Sequence, residues 1–395
     1  MSFTGNSKHY SSPNYVRLLR SGRDYFQQLE TLLSSAKVEI HLQTYVFEAD
    51  ETGLRIIEAL RQAAQRGVLV YVLLDTFGSP GIPPRVAEDL RNNGVQLQFF
   101  GRFFSKGKFH LGRRLHRKVT VIDGATALVG GINISNHYNH IGKRLPWLDY
   151  ALEVQGTTAR RLRRICRERW KNNKYRKTLK SVRLPALPDS GNESEAIAVG
   201  ITQNDFLRRK SDIAIAYRQA IRHSKKEILL VGAYFLPGLR ARRLLKKAIS
   251  RGVEIHCIFA AASDVMLSVY AREFLYQWML RNGLHIHEYT PSNVHGKLML
   301  CDGHWMSIGS FDLNSLSTYS NIELNLELKN EHFIADVRRE LMDVINNECK
   351  PVTSENYRLR TSSLRKLKCW CSYQIAKTFF GLAYILAKGV PKRSA

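Results

Sequence analysis

The sequence predicts an α/β fold built twice. Three observations carry this: short apolar strands alternate with amphipathic helices, the order of elements recurs in the second half, and matching helix stops fall at matching places. At roughly 150 residues per domain, 395 residues suit two or three domains or one large duplicated one. With 44% hydrophobic and 10% aromatic residues the chain can bury a core, so a disordered basic tail is excluded as a description of the whole.

The first copy, from Asp24 to about Leu74, opens on the amphipathic helix YFQQLETLLSSA. The alternating strand VEIHLQTYVF, the helix GLRIIEALRQAAQRG and the apolar strand VLVYVLLD follow. From about Asp205 to Ala260 the order recurs as SDIAIAYRQAIRHS, KEILLVGAYFL, LRARRLLKKAISRG and VEIHCIFA. Arg66-Gly67 and Arg251-Gly252 each place a glycine where a helix ends before a strand, and Asn93-Gly94 and Asn282-Gly283 repeat the stop before VQLQFF and LHIHEY. Such alternation predicts mixed or largely parallel sheets covered by helices. The stretch SVRLPALPDSGNESEA, residues 181–196, has linker composition. The expected division is therefore 1–185, 195–350 and a basic amphipathic tail at 351–395.

A formal net charge of +26 points to polyanionic surroundings: nucleic acid, an anionic membrane surface or phosphorylated substrates. The six cysteines are scattered, without zinc spacing or a disulfide framework, so a reducing compartment and no structural metal are expected. The first 40 residues are polar and charged, so neither a signal peptide nor an N-terminal anchor is expected.

After the matched elements each copy carries one constellation. In the first, HRKVTVID contains His116, Lys118 and Asp123; in the second, HGKLMLCD contains His295, Lys297 and Asp302. Farther on come Gly130-Gly131-Ile132-Asn133 and Gly309-Ser310-Phe311-Asp312. A pattern H-x-K-x4-D arises by chance on the order of once per ten thousand positions, so two at equivalent places in a repeat are not noise. On a strand, side chains at i and i+2 share a face, so each histidine is expected to point with its lysine. If the copies pack face to face, two imidazoles and two ammonium groups would make a phosphate site. Lysines would neutralise phosphate oxygens without metal, one histidine would attack phosphorus, and the other would protonate the leaving alcohol and deprotonate the incoming one.

These paired motifs resemble the HKD motifs of the phospholipase D superfamily, over about residues 14–350. The phrases VGGIN and PWLDYALEVQG, the opening VRLLRSGRDYFQQLETLLSSAKVEIHLQTYVFEADETG, and the second copy's SLS and NIELN look like bacterial cardiolipin synthases of the type lacking N-terminal membrane helices. The resemblance implies two phospholipase D-like α/β/α sandwich units packed with pseudo-two-fold symmetry. It also implies phosphatidyl transfer through a phosphohistidine, with His116 the nucleophile and His295 the acid/base. Asn133 and Ser310 would help bind phosphate, and Asp149 and Glu323 would orient the histidines. Asp123 and Asp302, though part of the motif, are expected as hydrogen-bond or ion-pair partners at strand ends. One departure is the order Asp312, Leu313, Asn314, where the family usually has Asn before Asp. A carboxylate at 312 would repel phosphate unless Asn314 or Lys297 compensates.

Tyr45 and Tyr234, at the ends of matched strands, suit core packing or the active site equally. The helix SDVMLSVYAREFLYQWML, residues 263–280, is expected to be packed, with an acyl-chain role the alternative. The basic runs RRLHRK (113–118) and RRLRRICRERWKNNKYRK (160–177) are expected to meet anionic headgroups rather than only solvent, and the segment from Gly94 to His116 to form a basic, aromatic loop ten residues longer than its counterpart. In the tail, the apolar stretch Cys369 to Ala387, interrupted by Lys377 and flanked by cations, favours a helix lying in a membrane interface over one packed on the domain. The expected partners are anionic phospholipid substrates and a membrane surface, with no cofactor, no metal and no nucleic acid. By the same resemblance the site of action is the cytoplasmic face of a bacterial inner membrane. Hydrolytic phospholipase D activity is the alternative within enzymes, and a nuclease of the same superfamily the more distant one.

Overall fold

A computed structural model describes residues 10–101, 104–105, 108–109, 113–171, 179–187, 196–263 and 265–388. Elements of the first half are β1 (Asn14–Arg20), α1 (Arg23–Ser35), β2 (Glu39–Thr44), α2 (Glu51–Gln65), β3 (Leu69–Asp75), α3 (Pro84–Asn92) and β4 (Gln96–Phe100). They continue with β5 (Lys118–Ile122), β6 (Thr126–Gly130), β7 (Tyr150–Gly156) and α4 (Thr157–Lys171). One sheet has the order β1-β7-β6-β5-β2-β3-β4. Its strands β2, β3 and β4 are parallel, and the remaining pairs are antiparallel.

The second half supplies β8 (Val199–Asp205), α5 (Asp212–His223), β9 (Glu227–Gly232), α6 (Leu239–Ile249), β10 (Glu254–Ala260), α7 (Met266–Arg281) and β11 (His285–Tyr289). Then come β12 (Lys297–Cys301), β13 (Trp305–Gly309), α8 (Ser315–Tyr319), β14 (Glu323–Leu328), α9 (Glu331–Asp343) and β15 (Cys349–Val352). This sheet runs β8-β14-β13-β12-β9-β10-β11, the first sheet's order position for position, with β15 added beside β11 and the two-residue strands Tyr10–Ser11 and Lys210–Ser211 paired with β8. Two compact units result, one ending at Ile201 and the other continuing from Thr202.

Each central strand is buried on both faces. On β2, Ile40 and Leu42 join Leu29, Leu33, Ile56 and Leu60 in one core, while Glu39, His41 and Gln43 alternate to the other face and are also buried. In the other unit Ile228 and Leu230 pack with Tyr217, Ile221, Leu245 and Leu275. The helix stops are as the sequence predicts. Gly67 and Gly252 both have φ of 88°, the left-handed region that glycine enters without a Cβ clash. Their N–H groups donate to the carbonyls of Ala64 and Ile249, and the next residues, Val68 and Val253, donate to Ala63 and Ala248.

The strands predicted to run to Phe47 and Leu236 end sooner, at Thr44 and Gly232. Just beyond those ends side chains take backbone N–H groups: Asn133 Oδ1 accepts from the Val46 N–H at 3.1 Å, and Asp312 Oδ1 from the Tyr234 N–H at 3.1 Å. The tail forms α10 (Ser354–Arg360) and α11 (Ser363–Lys388), and α11 packs on α7. Among the described residues no helix is long and apolar enough to cross a membrane. Within the long loop, Phe104–Ser105 pairs with Lys108–Phe109. The rest of the predicted basic, aromatic loop at 102–103, 106–107 and 110–112 lies outside the described residues, as do linker residues 188–195 and basic-run residues 172–177.

Candidate active site

β5 and β12 each begin on a motif lysine, Lys118 and Lys297. His116 and His295 stand two residues earlier, in the segments entering the strands rather than on them, which corrects the expected strand placement. The lysine reaches back to its histidine all the same. Lys118 Nζ donates to the His116 carbonyl at 2.6 Å, and Lys297 Nζ donates to the His295 carbonyl. Each ammonium also lies over a tyrosine ring, Lys118 at 5.4 Å from the Tyr45 centroid and Lys297 at 5.9 Å from that of Tyr234. The same rings meet the histidines edge to face, at 5.0 Å for Tyr45 and His116 and 6.3 Å for Tyr234 and His295. Each unit thus builds its own His–Lys–Tyr cluster. The two tyrosines sit one position apart in strand register, because the Val46 and Tyr234 amides are the equivalent pair.

Lys118, Lys297 and His295 are buried, and His116 is half-buried. A buried ammonium is costly unless dipoles or an anion compensate it, so such a lysine favours an anionic ligand.

The motif aspartates act on the backbone. Asp123 accepts from the N–H groups of Lys37, Val38 and Glu39 at 2.9, 2.8 and 2.9 Å. Asp302 does the same for Lys225, Lys226 and Glu227 at 2.9, 2.8 and 3.0 Å. Both have φ of 53°. Each carboxylate thereby fastens the turn after one central strand to the start of its neighbour.

Asp149 and Glu323 occupy equivalent places. Gly130 pairs with Ala151 and Gly309 with Asn325, so each carboxylate lies two residues before the partner of its glycine. Glu323 accepts from Ser310 Oγ at 2.5 Å, and the Leu324 N–H donates to that hydroxyl at 3.1 Å. At the matching place in the first unit, Gly131 leaves room for Asp149: a Cβ there would lie 2.4 Å from Asp149 Oδ1. All four residues are buried.

Asn133 also donates through Nδ2 to Tyr138 Oη at 2.8 Å. Its equivalent, Asp312, has Oδ2 3.9 Å from Lys297 Nζ, so the expected compensation comes from the lysine. Asn314 is engaged elsewhere: Oδ1 caps α8 by accepting from the Ser317 N–H at 2.9 Å, and Nδ2 donates to the Tyr234 carbonyl at 3.2 Å.

Sequence reasoning missed Asp75, the last residue of β3. Its carboxylate accepts from the N–H groups of Leu115, Phe77 and Gly78 at 2.8, 2.9 and 3.3 Å, which fixes the residue next to His116. Burial pushes its carboxyl above the usual range. The signal was available: a carboxylate ends this apolar strand, where the second copy has Ala260.

The basic runs are spent internally to a larger extent than expected. Arg117 is buried and donates through Nε to Gln43 Oε1 at 2.9 Å. Arg163 pairs with Glu39, Arg167 lies 3.0 Å from the same carboxylate, and Arg114 donates to the Gly101 carbonyl at 3.0 Å. Headgroup binding along these runs therefore cannot draw on every cation, because buried carboxylates and carbonyls already hold several.

A duplicated mixed sheet that presents a histidine, a buried lysine and a backbone-binding aspartate in each copy defines a phospholipase D-like protein. The chain belongs to the family described as cardiolipin synthase, PLD-like domain, whose model matches residues 29–142 and 217–345. It is 30% identical over 362 residues to cardiolipin synthase B of Salmonella typhi, spanning 88% of this chain and 84% of that protein. Against cardiolipin synthase B of Escherichia coli K12 it is 29% identical, spanning 86% and 82%. Among solved structures it resembles the phosphatidylserine synthase of Haemophilus influenzae, with a TM-score of 0.65 at 14% identity over 94% of this chain and 95% of that one, a likeness of fold.

Proposed function

We propose that the protein is a cardiolipin synthase that transfers a phosphatidyl group between two phospholipids, with two phosphatidylglycerols giving cardiolipin and glycerol. His116 attacks the phosphorus of the donor, and the bond to the departing glycerol breaks as His295 gives that glycerol its proton. His295 then takes the proton from the acceptor's glycerol hydroxyl, whose oxygen displaces His116 and restores both imidazoles. Lys118 and Lys297 hold the phosphate oxygens, Asn133 and Ser310 border them, and Asp149 and Glu323 orient the histidines. Residues 1–185 and 195–350 are the two catalytic units. The enzyme works peripherally on the cytoplasmic face of the bacterial inner membrane.

The observation that carries this reading is the His–Lys–Tyr cluster, built twice with matched buried carboxylates, in a chain 30% identical to a cardiolipin synthase. Phosphatidylglycerol liposomes incubated with purified protein should yield cardiolipin and glycerol. His116→Ala and His295→Ala should each lose about 10²–10⁴-fold of the rate or more. Phosphatidic acid as the sole product would replace synthesis by hydrolysis, and DNA cleavage without lipid turnover would overturn the class.

A further inference from the structure

We infer that the outward face of α11 is the surface by which the protein seats on an anionic lipid bilayer, an inference that rests on the lipid-processing reading above. One side of the helix is built into the protein. Arg365 makes a bidentate pair with the buried Glu273, at 3.0 and 2.7 Å. The short helix α10 before it is held likewise, with Arg360 at 2.6 and 2.9 Å from Glu288 and Tyr357 Oη donating to the Glu273 carbonyl at 2.9 Å. Tyr373 stacks on Phe274 with centroids 4.6 Å apart, and Cys369 and Ala376 are buried. Stripping a buried carboxylate of its arginine is strongly unfavourable, so this side stays docked.

The opposite side carries large apolar groups in solvent. Leu364 is 63% exposed, Leu367 55%, Trp370 49% and Ile375 56%. Leu364, Leu367, Cys371 and Ile375 follow the i, i+3, i+4 spacing of a single stripe, with Trp370 beside it. The exposed Lys368 lies along one margin of the stripe, and the exposed Lys366 and Lys377 along the other. An apolar stripe with tryptophan, bordered by lysines that can extend to phosphates, matches the boundary between acyl chains and anionic headgroups. A second copy of this chain fits the face less well, because it would bring the same lysines on a molecule of charge +26. α11 thus lies on the membrane as a fixed part of the second unit.

The test uses the full chain and co-sedimentation with vesicles of phosphatidylcholine, with and without phosphatidylglycerol. Leu367→Gln/Trp370→Gln/Ile375→Gln should weaken binding to the mixed vesicles at least about tenfold, since each side chain loses apolar burial. Lys366→Gln/Lys368→Gln/Lys377→Gln should weaken it by about a hundredfold and leave binding to pure phosphatidylcholine unchanged. Both variants should keep the wild-type circular dichroism and the wild-type turnover of phosphatidylglycerol dispersed in detergent. Unaltered vesicle binding by the apolar variant overturns the inference. So does a loss of self-association, read by light scattering, with vesicle binding intact, which would assign the face to a second copy. Absence of detergent-phase turnover in the wild type would instead count against the proposed activity, and the vesicle arms would still be decided on their own.

Discussion

Asp123 and Asp302 carry a motif letter that reads as chemistry, yet each carboxylate is committed to three successive backbone N–H groups. Those bonds and the left-handed backbone at both positions make the aspartates fasteners of the sheet. Magnitudes separate this role from proton transfer. A positioned acid or base contributes about 10²–10⁴-fold in rate, whereas a lost charge-assisted hydrogen bond costs about 1.5–3 kcal/mol in stability. Asparagine tolerates the left-handed conformation and keeps one acceptor oxygen; alanine does neither. Thermal unfolding should therefore rank wild type above Asp123→Asn and that above Asp123→Ala. Asp123→Asn, assayed below its melting range, should keep kcat within about tenfold of wild type, outside the loss an acid/base role would bring. A fully stable Asp123→Asn that has lost a hundredfold or more would restore a catalytic role.

The helix α4 gives a prediction at the scale of an element. Its Ala159, Leu162, Cys166 and Trp170 form a buried stripe at helical spacing, and Arg163 and Arg167 between them reach Glu39 on β2. Burial pushes the Glu39 carboxyl up, but the adjoining His41 and Arg163 outweigh it and hold it at about 2. Burial pushes the neighbouring His41 imidazole down. A carboxyl held below its unfolded value stabilises the fold fully above the unfolded pKa of about 4.3, and that stabilisation is lost as pH falls through about 2. Wild type should therefore exceed Glu39→Gln in melting temperature by a margin that is constant from pH 7 to about 5 and shrinks toward pH 2. Near neutrality the margin should correspond to about 3 kcal/mol or more, because the glutamine leaves two arginines facing a neutral partner. Melting curves of both proteins across that range check it, and a margin independent of pH would rule out Glu39 as the anchor of α4.

The duplication was legible in the whole molecule because it rests on local signals: apolar periodicity, glycine helix stops and two motifs at one spacing. The ion pairs were not, because their partners are far apart in the chain. Glu39 lies far ahead of Arg163 in sequence, as Glu273 does of Arg365, so cations expected to meet anionic headgroups turn out partly internal. The asymmetry between the copies was half legible. The exchange at Asp312 stood in the sequence, whereas its consequence needed the 3.9 Å approach to Lys297 and the shared backbone bond with Asn133. That asymmetry bears on which histidine becomes phosphorylated. A carboxylate beside Lys297 competes with phosphate oxygens for the ammonium, while Lys118 has the neutral amide of Asn133 at the equivalent place. Asp75 further holds the backbone beside His116, with Ala260 in its place in the other copy. The charge of the phosphorane is thus better met around the first motif, and the covalent phosphatidyl group is expected on His116. Alkaline quenching of the enzyme during turnover of labelled phosphatidylglycerol, followed by peptide mapping, should place the label on the peptide containing His116. His116→Ala should abolish the label, and Asp312→Asn should leave it in place. Label recovered on His295 would reverse the assignment of nucleophile and acid.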